Sequence, residues 1–144
     1  MKKKITMNES PFLDDREHLF ENSIGFVIFD NFPVSEGHSL VIPKRVYSNY
    51  FDSTEEELKG LNELLFQTKD YLDKKFKPQG YNIGVNCGPV SGQTIDHVHI
   101  HLIPRYVNDV EDPRGGVRGV IPSKQKYDDQ EKNQYIQFNS VTVE

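Results

Sequence analysis

A chain of 144 residues with a formal charge of -5 is long enough for one domain with its own core, and it is too acidic overall to present the basic face of a nucleic-acid binder. Its single cysteine, Cys87, excludes an intramolecular disulfide and a Cys-x-x-Cys metal clamp. The basic start MKKKITMNES leads into no apolar signal core and no run of membrane-spanning length follows, so the composition predicts a cytoplasmic protein with no membrane partner.

In chain order, Ile24 to Asp30 (IGFVIFD) is short, β-branched and aromatic, and is closed by Asn31-Phe32-Pro33, which predicts a buried strand. After a polar link carrying His38, Ser39 to Lys44 predicts a second strand, antiparallel to the first because the connection is short. Ser53-Thr54-Glu55-Glu56 has the form of a capping box. The following Leu58, Leu61, Leu65, Thr68 and Leu72 recur at helical spacing, predicting one helix from about Thr54 to about Phe76, stopped by Pro78 and Gly80. Tyr81 to Cys87 reads as a third strand, Gly88 to Gly92 as a turn, and Thr94 to Ile103 as a fourth strand ended by Pro104. A single helix among strands argues against repeated parallel crossovers and for an α+β antiparallel sheet, with the helix on one face and the other face free for a site. Beyond Arg105 the chain turns polar. The domain is taken as 1–122 with its core at 10–107, and 123–144 as a polar tail with a late strand near Tyr135 to Phe138.

The stretch HVHIHLIPR holds three of the five histidines at every second position. On a strand, His97, His99 and His101 share one face while Val98, Ile100 and Leu102 turn to the core. Three aligned imidazoles repel when protonated and each need a partner when neutral, so a purely structural reading fits them poorly. One zinc ion does not reach all three, since residues two apart lie about 6.6 Å apart along a strand and those four apart about 13 Å, against about 2.0–2.1 Å for each zinc–nitrogen bond. Two of them with His38 would suffice for a three-histidine zinc site. The remaining reading is nucleophilic and acid–base chemistry on an anion, because neutral imidazole is a competent nucleophile near pH 7 and a neighbouring imidazole can serve an oxygen that gains charge.

Two blocks, Asn86 to Arg105 (NCGPVSGQTIDHVHIHLIPR) and Asp30 to Arg45 (DNFPVSEGHSLVIPKR), resemble the histidine triad family of nucleotide hydrolases and transferases. The resemblance extends over roughly Phe12 to Arg105. It implies an antiparallel sheet of about five strands with one long helix and a short N-terminal helix, and a homodimer whose sheets become continuous. Carried over by position, His99 matches the nucleophile that attacks an α-phosphorus, His101 the histidine serving the departing group, and His97 and His38 the two that orient and tune them. Asn86, Gln93 and Thr94 match polar positions around the phosphates, and Asp30 matches the acceptor for ribose hydroxyls. Ile28, with Phe12 and Leu13, either encloses the base or fills the core. Other readings of the same residues stand beside these: Asp30 closes an Asx turn, Gln93 and Thr94 shape a turn, and Lys44 and Arg45 are solvated or attract polyphosphate.

Where many members carry a Cys-x-x-Cys that joins a zinc site, this chain has Ser10-Pro11-Phe12-Leu13, so no bound zinc is expected; Mg²⁺ would accompany the substrate as a counterion. Ile103-Pro104-Arg105 is nearer to the fragile-histidine-triad and diadenosine-polyphosphate-hydrolase branch. His101 stands where transferring relatives commonly have Gln, which favours water as final acceptor. The resemblance thus implies a dinucleoside polyphosphate hydrolase releasing a nucleoside monophosphate, with a phosphoramidate hydrolase or a nucleotide-sensing module as alternatives. Arg114 and Arg118 either meet a distal phosphate or belong to a structural turn.

Overall fold

The computed structural model describes residues 10–127, and in them one antiparallel sheet is backed by one long helix. The strands are β1 (Phe20–Glu21), β2 (Gly25–Phe29), β3 (Ser39–Pro43), β4 (Gly80–Gly84) and β5 (Ile100–Arg105), and α1 spans Glu55–Phe76. Their spatial order is β1-β2-β3-β5-β4, which leaves the two-residue β1 at one edge and β4 at the other. The two-strand pattern read from IGFVIFD and SLVIPK holds, with Val27 opposite Val41 and Ile28 opposite Leu40.

Alternation along these strands sorts the apolar residues onto two faces. Val27, Val41, Ile100 and Leu102 pack with Leu61, Leu64, Leu65 and Leu72 of α1. On the opposite face Phe26, Ile28, Leu40 and Ile42 form a second cluster under Phe12, so the face expected to be free is half covered by the N-terminal segment. The open half lies where β3 meets β5, beside His101. Ile28 is 1% exposed and packs inside this cluster.

The helix start lies one residue later than the capping box read from the sequence. Thr54 is the cap, its hydroxyl accepting from the Glu57 amide at 3.1 Å while the Glu57 carboxylate accepts from the Thr54 amide at 2.9 Å. Arg45 selects this register, donating to both Glu57 oxygens at 3.0 and 2.7 Å, and Ser53 instead pairs with the Tyr47 hydroxyl. Arg45 and the cap together hold the Glu57 carboxyl down at about 2. The buried stripe accordingly runs through Glu57, Gly60, Leu61, Leu64, Leu65, Thr68 and Leu72, and Leu58 lies outside it. Gly60 permits the close approach of helix to sheet, since a Cβ there would stand 2.5 Å from the Ile24 Cβ. A Thr54→Ala variant is expected to lose about 1 kcal/mol of stability, read as a lower urea midpoint at unchanged slope.

The strand bounds differ from expectation wherever a partner runs out. β4 ends at Gly84, opposite His101, because β5 offers little beyond that point. β5 begins at Ile100 rather than near Thr94, and it continues through Pro104. Pro104 stands opposite Tyr81 of β4, while β3 pairs only as far as Leu102, so on the β3 side the missing amide interrupts no ladder. The implied N-terminal helix is not found among the described residues. Ser10 to Leu13 form one turn and Asp14 bends the chain by accepting from the Arg16 amide, local side-chain bonding that competes with helix formation. The late strand at Tyr135 to Phe138 lies outside the described residues. Ordered contacts run past the expected boundary at 122, because Arg118 donates to the carbonyls of Lys124 and Gln125 and stacks on Tyr127. Arg118 is therefore spent on a structural turn, and Arg114 is paired with Asp112.

Candidate active site

The short loop after β2 and the loop entering β5 bring the four expected histidines together, although not as a strand presents them. Only His101 lies on β5; His97 and His99 precede it in irregular backbone and are buried. The departure from the ladder has its cause in the segment from Pro43 to Tyr47. The Val98 amide donates to the Tyr47 carbonyl at 2.8 Å, and the His97 ring folds under to donate from Nε2 to the Pro43 carbonyl at 2.6 Å. The rings then form a contiguous row, with centroids 5.2 Å apart for His38 and His101, 5.1 Å for His101 and His99, and 5.0 Å for His99 and Phe12. Phe12 also touches His97, which makes it a wall behind the cluster.

Hydrogen bonds assign the tautomers. His99 Nδ1 is 2.8 Å from the His97 carbonyl oxygen, which can only accept, so Nδ1 carries a proton and in the neutral ring Nε2 holds the lone pair. The Val34 amide donates to His38 Nδ1 at 3.2 Å, leaving the proton of neutral His38 on Nε2, where it points at His101 Nδ1, 2.9 Å away. His101 must then carry its own proton on Nε2. Asp30 serves two purposes at once: Oδ1 accepts from the Phe32 amide in an Asx turn at 2.8 Å, and Oδ2 lies 3.5 Å from His38 Nε2. The donor atoms of Asp30, His38 and His101 lie within 4.8 Å of one another, a set a divalent metal would fit in place of the shared proton. The Ser10 to Leu13 turn offers no thiolate, and the Ser10 hydroxyl is engaged by the Phe12 amide.

Burial first, and the neighbouring His99 and His38 next, push His101 down to about 4. Burial likewise lowers His38 against the opposing pull of Asp30, and lowers His97 against its carbonyl partners. All three are neutral near pH 7. For a histidine whose folded pKa lies below its unfolded value, the unfolded chain binds more protons between the two, so stability is intact above about 6.5 and is lost as pH falls toward 4. The melting temperature is expected to fall by several degrees over that window, and His101→Asn is expected to flatten the slope in a pH series of thermal melts.

The other expected residues fare unequally. Gln93 is engaged by backbone, accepting from the Gly88 amide and donating to the Ser48 and Ile95 carbonyls, and so staples the loop. Thr94 is exposed, and neither it nor the Asn86 amide has a side-chain hydrogen bond among the described residues. The ladder of β4 and β5 ends at Gly84 and His101, so Asn86 lies two residues beyond it, in the segment leading to Gly88. The Pro43 carbonyl, the Val34 amide and the His97 carbonyl set the tautomers, and no residue pattern signals backbone groups of this kind. Phe12 was signalled only as an apolar position.

Three imidazoles in a row, His38, His101 and His99, with His97 reached through Phe12, on a half-open antiparallel sheet define an α+β protein built around a histidine cluster. The family model for the HIT domain matches residues 14–108, and the chain belongs to that family. It is 40% identical over 86 residues to an uncharacterized 16.1 kDa HIT-like protein of Mycoplasma pneumoniae, covering 60% of this chain and 60% of that one. It is 35% identical over 95 residues to the bis(5'-adenosyl)-triphosphatase of Dictyostelium discoideum, covering 66% of this chain and 64% of that enzyme. The match thus spans less than two thirds of the length of either relative. A HIT family protein from Bacillus anthracis superposes with a TM-score of 0.62 at 26% identity, covering 83% of this chain and 76% of that one.

Proposed function

We propose that the protein hydrolyses dinucleoside polyphosphates at the α-phosphate, through a nucleotidyl intermediate on His99. The observation that carries this reading is the hydrogen bond from His99 Nδ1 to the His97 carbonyl, which leaves Nε2 as a free lone pair. In the first step Nε2 bonds to the α-phosphorus and the bond to the bridging oxygen breaks, its electron pair leaving with the distal nucleotide. His101 Nε2–H donates a hydrogen bond to the oxygens that gain charge. In the second step water attacks the same phosphorus, the P–N bond breaks with its electrons returning to Nε2, the water's proton passes to solvent, and the mononucleotide leaves.

The low pKa of His101 favours a phosphoanhydride over a phosphoramidate. A phosphate leaves as an anion without needing a proton, whereas an amine must be protonated, and a ring that is neutral at pH 7 is a poor proton source. Asp30 Oδ2, Asn86 and Thr94 are the groups we assign to ribose and phosphate, with Mg²⁺ as the counterion of the polyphosphate. We further propose a homodimer through β4, whose outer edge meets no strand among the described residues and whose Ile83 is 52% exposed. Sedimentation reads that directly, a concentration-independent monomer refuting it. No helix among the described residues is long and apolar enough to cross a membrane.

The test of the reaction is turnover of diadenosine tetraphosphate in ¹⁸O-water, with intact-mass spectrometry of the protein in the first turnovers. AMP carrying the label and a transient adenylyl adduct are expected. Label in ATP, or no turnover of any dinucleoside polyphosphate, refutes the reading.

A further inference from the structure

Beyond His101 the open face of the sheet continues into a groove of about 400 Å³ that the histidine cluster does not use. Its floor is Ile103 and Arg105 of β5 with Asn82 of β4, on the same face as His101 by strand alternation. One wall is Val34 in the loop that carries Asp30 and His38, and the other is the Asp109 to Gln125 segment folded back over the sheet. Both walls are fastened: Ser35 donates to the Pro104 carbonyl at 2.6 Å, Tyr106 to the Glu36 carbonyl at 2.7 Å, and Gln125 to the Arg114 carbonyl at 3.1 Å.

The one cation of the groove's floor is ion-paired within the groove. Arg105 donates to both oxygens of Asp109, at 2.7 and 2.8 Å, and spends a third donor on Asn82 Oδ1 at 2.7 Å. Asp112 is held by Arg114 at 2.8 Å and Lys126 at 3.3 Å. No cation of the floor is left to meet an anion, so the groove is unsuited to further phosphates. It offers instead apolar surface from Val34, Ile103 and Val110, and the Asn82 amide NH₂, which donates to no group among the described residues. A neutral, flat ligand with ring acceptors matches that lining, and the volume lies within the usual range for small-ligand pockets.

We infer that this groove is the subsite for the nucleoside of the leaving group, an inference that rests on the phosphoanhydride reading above. Ile103 stands about 6.6 Å along the strand from His101, a gap that bridging phosphates can span and a single P–N bond cannot. The groove therefore selects dinucleoside polyphosphates over mononucleotides that carry the same phosphates.

Steady-state kinetics with diadenosine tetraphosphate and adenosine 5′-tetraphosphate test this, since the two differ only in the second nucleoside. Wild type is expected to prefer the dinucleotide by about tenfold or more in kcat/KM, and Val110→Trp, which fills the groove from its exposed wall, to abolish that preference while leaving adenosine tetraphosphate within about twofold. Asn82→Ala is expected to lose part of the preference, and it keeps the test decisive if the tryptophan variant does not fold. Equal use of both substrates by wild type, or an equal loss on both in the variants, overturns the subsite while leaving the hydrolase intact. Turnover of neither substrate by wild type overturns the hydrolase reading and the subsite with it.

Discussion

A His99→Asn variant is expected to lose about 10⁴-fold or more in kcat on diadenosine tetraphosphate and to form no adenylyl adduct, because losing a covalent nucleophile typically costs that much. Asparagine is chosen for its geometry. Its amide nitrogen can take over the donation that His99 Nδ1 now makes to the His97 carbonyl at 2.8 Å, so the loop into β5 keeps its shape while the lone pair at Nε2 disappears. His99 is 8% exposed and its ring meets Phe12 and His101, so the smaller side chain costs some packing as well. Thermal melts beside the kinetics separate the two effects: a folded protein that still binds the nucleotide and does not turn it over is the expected outcome. Retained turnover within tenfold of wild type would remove His99 from the nucleophile's role and require a direct attack by water.

The second large effect is expected at His38, which acts through another residue. Its Nε2–H fixes the tautomer of His101, and its Nδ1 satisfies the Val34 amide. His38→Leu frees His101 to place its proton on either nitrogen and strands a backbone donor. A loss of about 10²–10³-fold in kcat with KM little changed is expected, in the range that positioned proton donors contribute. His38→Gln, whose amide can again donate toward His101, is expected to recover part of it. A merely structural role predicts no such recovery, only a stability loss that glutamine and leucine share. Equal kcat in both variants refutes the positioning role, as does an unchanged kcat in His38→Leu.

These two residues also show how far residue order reaches. The alternation of imidazoles was legible as chemistry before any coordinates, since three aligned titratable rings demand partners that an ordinary strand does not supply. The rule behind the reading, strand geometry through His97 and His99, fails in detail. The ladder with β3 stops at Val41 opposite Ile100, and the His97 ring is recruited by a carbonyl 54 residues away. Gln93 was picked out for its amide, yet three backbone groups consume it. Ile28 was picked out for its position, yet strand pairing and Phe12 bury it. For His97 and Ile28 the competing partners are distant in sequence, as is Ser48 among the three that hold Gln93, and periodicity carries no information about them.

Length, hydrophobic spacing and punctuation by Pro and Gly sufficed for the α+β class, the helix and the first strand pair, because those depend on local preference and on which face of an element is apolar. Histidine spacing and its flanking residues sufficed to mark which side chains the fold brings together. Tautomers, the depressed pKa of His101 and the pairing of Arg105 in the groove beside it follow from burial and from pairings between β3, β4, β5 and the loops between them. A proton's place on an imidazole is set by whichever group faces the other nitrogen, and here those groups are backbone atoms brought up by the fold.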